Sequence, residues 1–322
     1  MKKSIIALAV AAASLASVAQ ADGTTLYGSM RIAYTYEDVA KLGDLTDLDG
    51  VSKIGNNPYA TSRIGIKGSN DMGNGLSALY KFEWGVSVKK NDPFSQRDTY
   101  IGLTGDFGTV LAGTVTHPYD DVAGASDNFN GLNAGFLRNY EDAFFSPGRT
   151  DNTLAYITPD MGGFQATAGI VMDGANNKKH ADAFQITAGY NANGINAAIG
   201  YAALDSEVAN GDQDSVALAL GYSNDVFGVD ATVERYNDDG DRNPIAWTLY
   251  GEYNIDEANK VYASYGQYDY DTDDDNVQGA GIGYQHNFSN HTRVWAEYGY
   301  EDTGIDGQDN ANTVSLGLRT DF

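Results

Sequence analysis

Few side chains in this sequence could act on a covalent bond. The four histidines, His117, His180, His286 and His291, are scattered through loops, turns and strand ends, with no recognisable serine partner. Hydrolysis needs a nucleophile, a base and an orienting group held together, so this pattern argues against an enzyme. Asp269-Tyr270-Asp271-Thr272-Asp273-Asp274-Asp275 begins like a calcium loop. Its sixth position is Asp274 rather than glycine and its twelfth is Ala280 rather than glutamate, so it reads as a solvated loop tip. Gly279-Ala280-Gly281-Ile282-Gly283-Tyr284 lacks the last glycine of a phosphate-binding run and falls in a strand pattern. No metal or cofactor is expected. What remains is fixed charge at alternate positions: Arg31, Arg63 with Lys67, and Lys81 with Glu83, each opposite an apolar set. Such groups act on a solute through their field.

The elements that must carry these charges show at the carboxy terminus. In Thr313 to Phe322, Val314, Leu316, Leu318 and Phe322 form one set, with Thr320 its single polar member. Thr313, Ser315, Gly317, Arg319 and Asp321 form the other. A strand turns successive side chains to opposite faces, so this segment is oily on one face and wet on the other. The same alternation runs through Thr24 to Tyr36, where Leu26, Met30, Ile32, Tyr34 and Tyr36 oppose Ser29, Arg31 and Thr35. It recurs in Thr61 to Gly68, Leu76 to Trp84, Phe184 to Tyr190 and Ile245 to Tyr253.

The amino terminus reads as an export leader. Met1-Lys2-Lys3 is basic, Ile5 to Val18 is apolar apart from serines, and Ala19-Gln20-Ala21 offers a small-x-small cleavage site. The apolar run is short of the ~20 residues a bilayer crossing needs. Residues 1–21 are therefore expected to be removed, leaving 22–322 as a single domain without a linker. The chain has no cysteine, so extensive strand pairing or a large core must supply its stability. Without Lys2 and Lys3, 18 basic residues face 44 acidic ones, a net charge near −26. So acidic a chain is a poor partner for nucleic acid or an anionic membrane surface, and it favours cations near any channel it builds.

From Asp22 onward a unit repeats: an alternating strand of roughly ten residues, a tight Gly/Asn/Asp turn, a second strand, then a longer acidic loop. Counting gives sixteen strands and eight short turns, the last strand ending at Phe322. Tyr190, Tyr201, Tyr222, Tyr253, Tyr284, Tyr298 and Tyr300 crowd the strand ends, where a membrane barrel carries its aromatic girdles. An even strand number with short turns at one end and long loops at the other predicts an all-β, antiparallel transmembrane barrel. A soluble sandwich would need a bulkier inward set than Ala, Gly, Ser and Thr. The longest irregular stretch, His117 to Gly148, exceeds what compact domains leave without regular structure and is expected to be functional.

Several stretches resemble the general porins of Gram-negative bacteria. They are Thr25-Leu26-Tyr27-Gly28, Ser62 to Gly68, Arg97 to Leu103, Phe107-Gly108-Thr109-Val110, Arg149 to Tyr156 with Pro159 and Gly163-Phe164, and the terminal Phe322. The resemblance spans essentially the whole chain after the leader. It implies a sixteen-stranded outer-membrane barrel, normally a homotrimer among outer-membrane lipid and lipopolysaccharide, through which small hydrophilic solutes and ions diffuse. It also implies that the third long loop, here His117 to Gly148, folds into the lumen and narrows it. Carried over by motif, Arg63, Arg97 and Arg149 take the basic wall of that constriction. Asp120, Asp121 and Asp127 take the acidic loop facing it, and Phe322 the assembly signal. Arg31, Lys67 and Lys81 join the wall by parity.

The sequence departs from the family pattern at Ser29, where some relatives carry a basic residue, and at Thr114, where many carry an arginine. With the acidic loops, these losses lead us to expect a weak cation preference. A solute-selective channel, and an adhesin or structural barrel whose long loops bind a partner, are the alternatives.

Overall fold

The computed structural model describes residues 23–38, 50–55, 61–88, 93–132, 148–172, 181–205, 213–237, 243–269, 276–302 and 310–322. The expected leader and most of the expected acidic loops lie outside these residues.

Every described strand belongs to one antiparallel sheet that closes on itself. In chain order the strands are β1 (Gly23–Asp38), β2 (Val51–Gly55), β3 (Ser62–Gly73), β4 (Leu76–Val86), β5 (Phe94–Gly105) and β6 (Gly108–Thr116). After a short helix, α1 (Pro118–Ala123), come β7 (Arg149–Ile157), β8 (Phe164–Val171), β9 (Ala183–Ala192), β10 (Ile195–Leu204), β11 (Gln213–Ser223) and β12 (Phe227–Asn237). β13 (Ile245–Asn254), β14 (Asn259–Asp269), β15 (Asn276–Asn287), β16 (Thr292–Asp302) and β17 (Ala311–Asp321) complete the wall.

The barrel is sixteen-stranded, as the repeat count leads one to expect, although seventeen segments are present. Both β2 and β3 pair with β1, one with its second half and one with its first. They therefore share a single wall position, divided by residues 56–61. Closure comes from β1 against β17, in register from Ser29 opposite Asp321 to Asp38 opposite Asn312. Phe322 completes the seam: its N–H donates to Gly28 O at 3.1 Å, and its O accepts from Gly28 N–H at 2.9 Å. A closed ladder leaves no unpaired edge, the condition for a sheet to stand in hydrocarbon.

The alternation sorts as expected. Leu26, Met30, Ile32, Phe82, Ile101, Ile199, Leu218, Leu249, Ile282, Leu316 and Leu318 are exposed on the outer face. The inner face carries small or polar residues such as Ser29, Thr35, Ala198, Ala217, Thr248 and Ser315, all buried. A lipid-facing surface of this kind has no second sheet to meet, so these exposed apolar side chains need no further explanation.

Two irregularities matter for the interior. On β4 and β5, Phe82 pairs with Thr99 and Trp84 with Gln96, so Glu83 faces both Arg97 and Asp98. On β6 and β7, Gly113 pairs with Thr153 and Val115 with Thr150, so Thr114 faces both Asp151 and Asn152. Each is a bulge, two residues against one, which re-aims side chains. Asn152 takes the left-handed conformation (φ 52°), which asparagine tolerates better than most residues.

Candidate functional site

The bulge on β5 sets Arg97 and Asp98 against the same partner, and the wall charges gather round them. Arg97 Nε donates to Glu83 Oε1 at 2.5 Å, while Arg63 Nη1 lies 3.8 Å and Lys81 Nζ 3.7 Å from the same carboxylate. Tyr27 OH donates to Glu83 Oε2 at 2.8 Å. Asp98 accepts from Lys81 Nζ at 2.6 Å, Arg149 Nε at 2.7 Å and Thr116 Oγ1 at 2.9 Å. Four bases thus share two buried carboxylates, leaving net positive charge. Lys67 lies in register with Lys81 and over the Tyr27 ring, 5.5 Å from its centroid.

The basic row continues across the seam. Arg31 stands directly opposite Arg319, and Arg319 opposite Arg293. Asp321 sits among them, 2.7 Å from Arg319 Nε and 3.5 Å from Arg293 Nη2. Ser29 accepts from Arg31 Nε at 3.2 Å. Like charges set opposite one another across strands weaken a sheet, so such a row does not serve the fold.

The segment after β6 crosses to the other side. The His117 N–H donates to Gly148 O at 3.1 Å, pinning the base of the loop, and Pro118 opens α1 where its missing N–H costs nothing. α1 packs on β9, β10 and β11, half a barrel from the Arg63–Arg97 cluster. The inner wall makes room there with alanines: Tyr119, Val122 and Ala125 bury against Ala198, Ala202, Ala217 and Ala219. Tyr119 OH donates to Glu234 Oε1 at 2.6 Å, and burial beside that carboxylate pushes the phenol pKa well up. His117 is fully buried, which holds its imidazole neutral, with a pKa lowered to about 3.

Beyond α1 the chain is tied down step by step. Ser126 and Thr232 hydroxyls bond, and Phe129 sits edge-on to Tyr250 and Tyr262, with centroids 6.1 and 4.9 Å away. The buried Glu297 carboxylate then clamps the segment. It accepts from the N–H groups of Asn130 (2.7 Å), Gly131 (2.7 Å) and Leu132 (3.0 Å), and from Tyr262 OH at 2.6 Å. A Cβ on Gly131 would strike Ser315 and Trp295, so only glycine allows this approach.

Of the residues singled out by sequence, Arg63, Arg97, Arg149 and Lys81 meet in one ion-pair network. Lys67 and Arg31 stand beside it. Asp120 and Asp121 lie in the first turn of α1, Asp120 buried, and Asp127 lies half-buried beyond it. The carboxylates that bond these wall bases are Glu83 and Asp98. Sequence reasoning noted the parity of Glu83 and Arg319 but gave them no role, and it missed Asp98, Arg293 and Glu297. Parity places Arg293 and Glu297 on wet faces and could have found them; a bulge is what recruits Asp98.

A family model described as Gram-negative porin matches residues 7–306. The chain is 28% identical to outer membrane porin protein 32 of Delftia acidovorans, over 93% of this chain and 89% of that one. It is 33% identical to major outer membrane protein P.IB of Neisseria gonorrhoeae, over 52% of this chain and 47% of that one. Among solved structures, the anion-selective porin from Comamonas acidovorans superposes with a TM-score of 0.80, at 21% identity over 93% of this chain and 99% of that one. The trimer form of OmpT from Vibrio cholerae gives 0.69 at 19% identity, over 93% and 99%. A closed antiparallel wall, oily outside and lined within by charge, together with a family match over nearly its whole length, makes this chain a member of the Gram-negative porins, a channel of the outer membrane.

Proposed function

We propose that the channel passes small hydrophilic solutes and ions by passive diffusion through a constriction with a transverse field. One observation carries this reading: the lumen is divided by charge. Arg31, Arg63, Lys67, Lys81, Arg97, Arg149, Arg293 and Arg319 occupy the side formed by β16, β17 and β1 to β7. The tethered loop starts with α1 on β9 to β11 and runs round to Glu297 on β16, and the carboxylates Asp230, Glu234 and Glu252 line β12 and β13, where Glu252 pairs with Lys260 of β14 at 2.9 Å. Asp120, Asp121 and Asp127 on that loop are proposed to supply the acidic face, and Arg63, Arg97 and Arg149 the centre of the basic one. Two unit charges 4 Å apart interact by about 1 kcal/mol in bulk water and more in a narrow, partly dehydrated pore. Such a field orients dipolar solutes and disfavours apolar ones, which cannot replace the ordered water. Phe322 is proposed to mark the strand by which the barrel is assembled.

The mature chain is proposed to begin at Asp22 and to assemble as a homotrimer in outer-membrane lipid and lipopolysaccharide; the Vibrio cholerae OmpT solved in its trimer form supports that assembly. A weak cation preference is supported by the excess of 44 acidic over 20 basic residues. Anion preference is a second reading, favoured by the eight wall bases, against which Glu83, Asp98 and Asp321 are the neighbouring carboxylates. The reversal potential of single channels in a KCl gradient decides. A cation-selective sign that weakens with salt supports control by the acidic rims, since exposed charge is screened within about 8–10 Å. An anion-selective sign overturns that reading and gives control to the arginine row.

A further inference from the structure

The inner wall holds a second polar group, one step nearer the short turns than the alanines that bed α1. Asn196 of β10 stands opposite Gly221 of β11, and Gly221 opposite Asp230 of β12. Asn196 is 1% exposed and Asp230 7%. Asn196 Oδ1, Asn196 Nδ2 and Asp230 Oδ1 meet no hydrogen-bond partner among the described residues, whereas buried polar groups are nearly always bonded. A Cβ on Gly221 would strike Asp230 Oδ1, so the carboxylate leans across the glycine toward Asn196. Side chains opposite one another across strands have Cβ atoms about 4.5–5.5 Å apart, close enough for one ion to touch both oxygens. In the next row Glu252 stands opposite Gly228 and leans over it in the same direction, its Oε1 3.5 Å from where a Cβ on Gly228 would lie. Its other oxygen, Oε2, is held by Lys260 and Tyr250 OH, each at 2.9 Å.

A buried carboxylate without a counter-charge is costly. Asp230 is such a group, and the base in this corner, Lys260, is taken by Glu252. Asn196, Asp230 and Glu252 offer oxygens alone, which suits a hard cation better than a transition metal. Calcium accepts irregular sets of carboxylate and amide oxygens at about 2.3–2.6 Å, while magnesium demands a near-octahedral shell and gives up water reluctantly. No three carboxylates or imidazoles form a metal-binding group among the described residues; here the third side chain is an amide. We propose that Asn196 Oδ1, Asp230 Oδ1 and Glu252 Oε1 bind one calcium ion against the inner wall. The three come from β10, β12 and β13, so no stretch of sequence announces the site.

Equilibrium dialysis of the purified full chain against radioactive calcium, after treatment with a chelator, tests this. The natural chain is expected to bind one ion per chain more tightly than its exposed loop carboxylates do. Asp230→Asn, checked for folding by its heat-modifiable mobility, is expected to weaken that site by about ten-fold or more, since affinity follows the charge of the ligands. Asp106→Asn, at the exposed turn between β5 and β6, is expected to leave it unchanged. Should Asp230→Asn not fold, Asn196→Ala decides, because it removes one ligand and keeps both carboxylates. Equal binding by the natural chain and these site variants would overturn the inference. So would an infrared band of a protonated carboxyl that persists at saturating calcium and disappears in Asp230→Asn, because a proton would then hold the site.

Discussion

At the residue scale, the interior is held by shared carboxylates. Glu83 is nearly fully buried and accepts from Arg97 and Tyr27 with Arg63 and Lys81 close by. Arg97→Ala removes its shortest partner, and leaving a buried charge short of a hydrogen bond costs on the order of 1–3 kcal/mol. Denaturant unfolding of the reconstituted barrel is expected to show that loss, and the reversal potential to move toward the cation side. Unchanged stability and selectivity would contradict the network. His117 supplies a pH dependence. Its pKa is about 3 when docked, against about 6.5 for a free histidine. Above about 6.5 it is neutral in both states, and docking keeps its full strength. As pH falls from 6.5 toward 3, the undocked loop binds the proton first, so docking weakens. The thermal midpoint is expected to fall more steeply over that window in the natural chain than in His117→Leu; parallel curves would count against it. Motif and parity made Arg63, Arg97, Arg149 and Lys81 legible in the sequence. Asp98 was not, because alternation assigns it the face opposite Arg97, and only the extra residue in β5 brings both in.

At the scale of elements, the strands were legible because an outer face in lipid and an inner face in water impose a period of two over every strand. The alanines of β10 and β11 read simply as small inward residues; that they form the bed for α1 depends on contacts some 80 to 100 residues apart in sequence. Likewise, nothing local to Asn130-Gly131-Leu132 announces that Glu297 will bond all three amides. The division of one wall position between β2 and β3 also escapes a count of alternating runs, since β2 is only five residues long while β3 already reads as a strand. The seam offers a direct test. Gly28 exchanges both backbone bonds with Phe322, and a side chain at 28 would run into the Phe322 ring. Gly28→Val is expected to lower the folded, heat-modifiable fraction sharply, while Gly55→Val, where no atom lies within 4 Å of the added Cβ, leaves it unchanged. Equal folding of the two would contradict the role given to the seam.

At the scale of the whole molecule, the chain turns strong acidity and scarce bases into an ordered interior. Of its 20 basic residues, eight stand on one side of the lumen, across from the α1 helix that packs on β9 to β11. The measurement that bears most directly on this is planar-bilayer conductance of the purified protein, with neutral polymers of graded size added to the bath. Uniform steps, lowered by small polymers that enter and unaffected by those above a cutoff, are the expected result. A protein that inserts without conducting, or steps insensitive to every polymer, would contradict a water-filled channel narrowed from within.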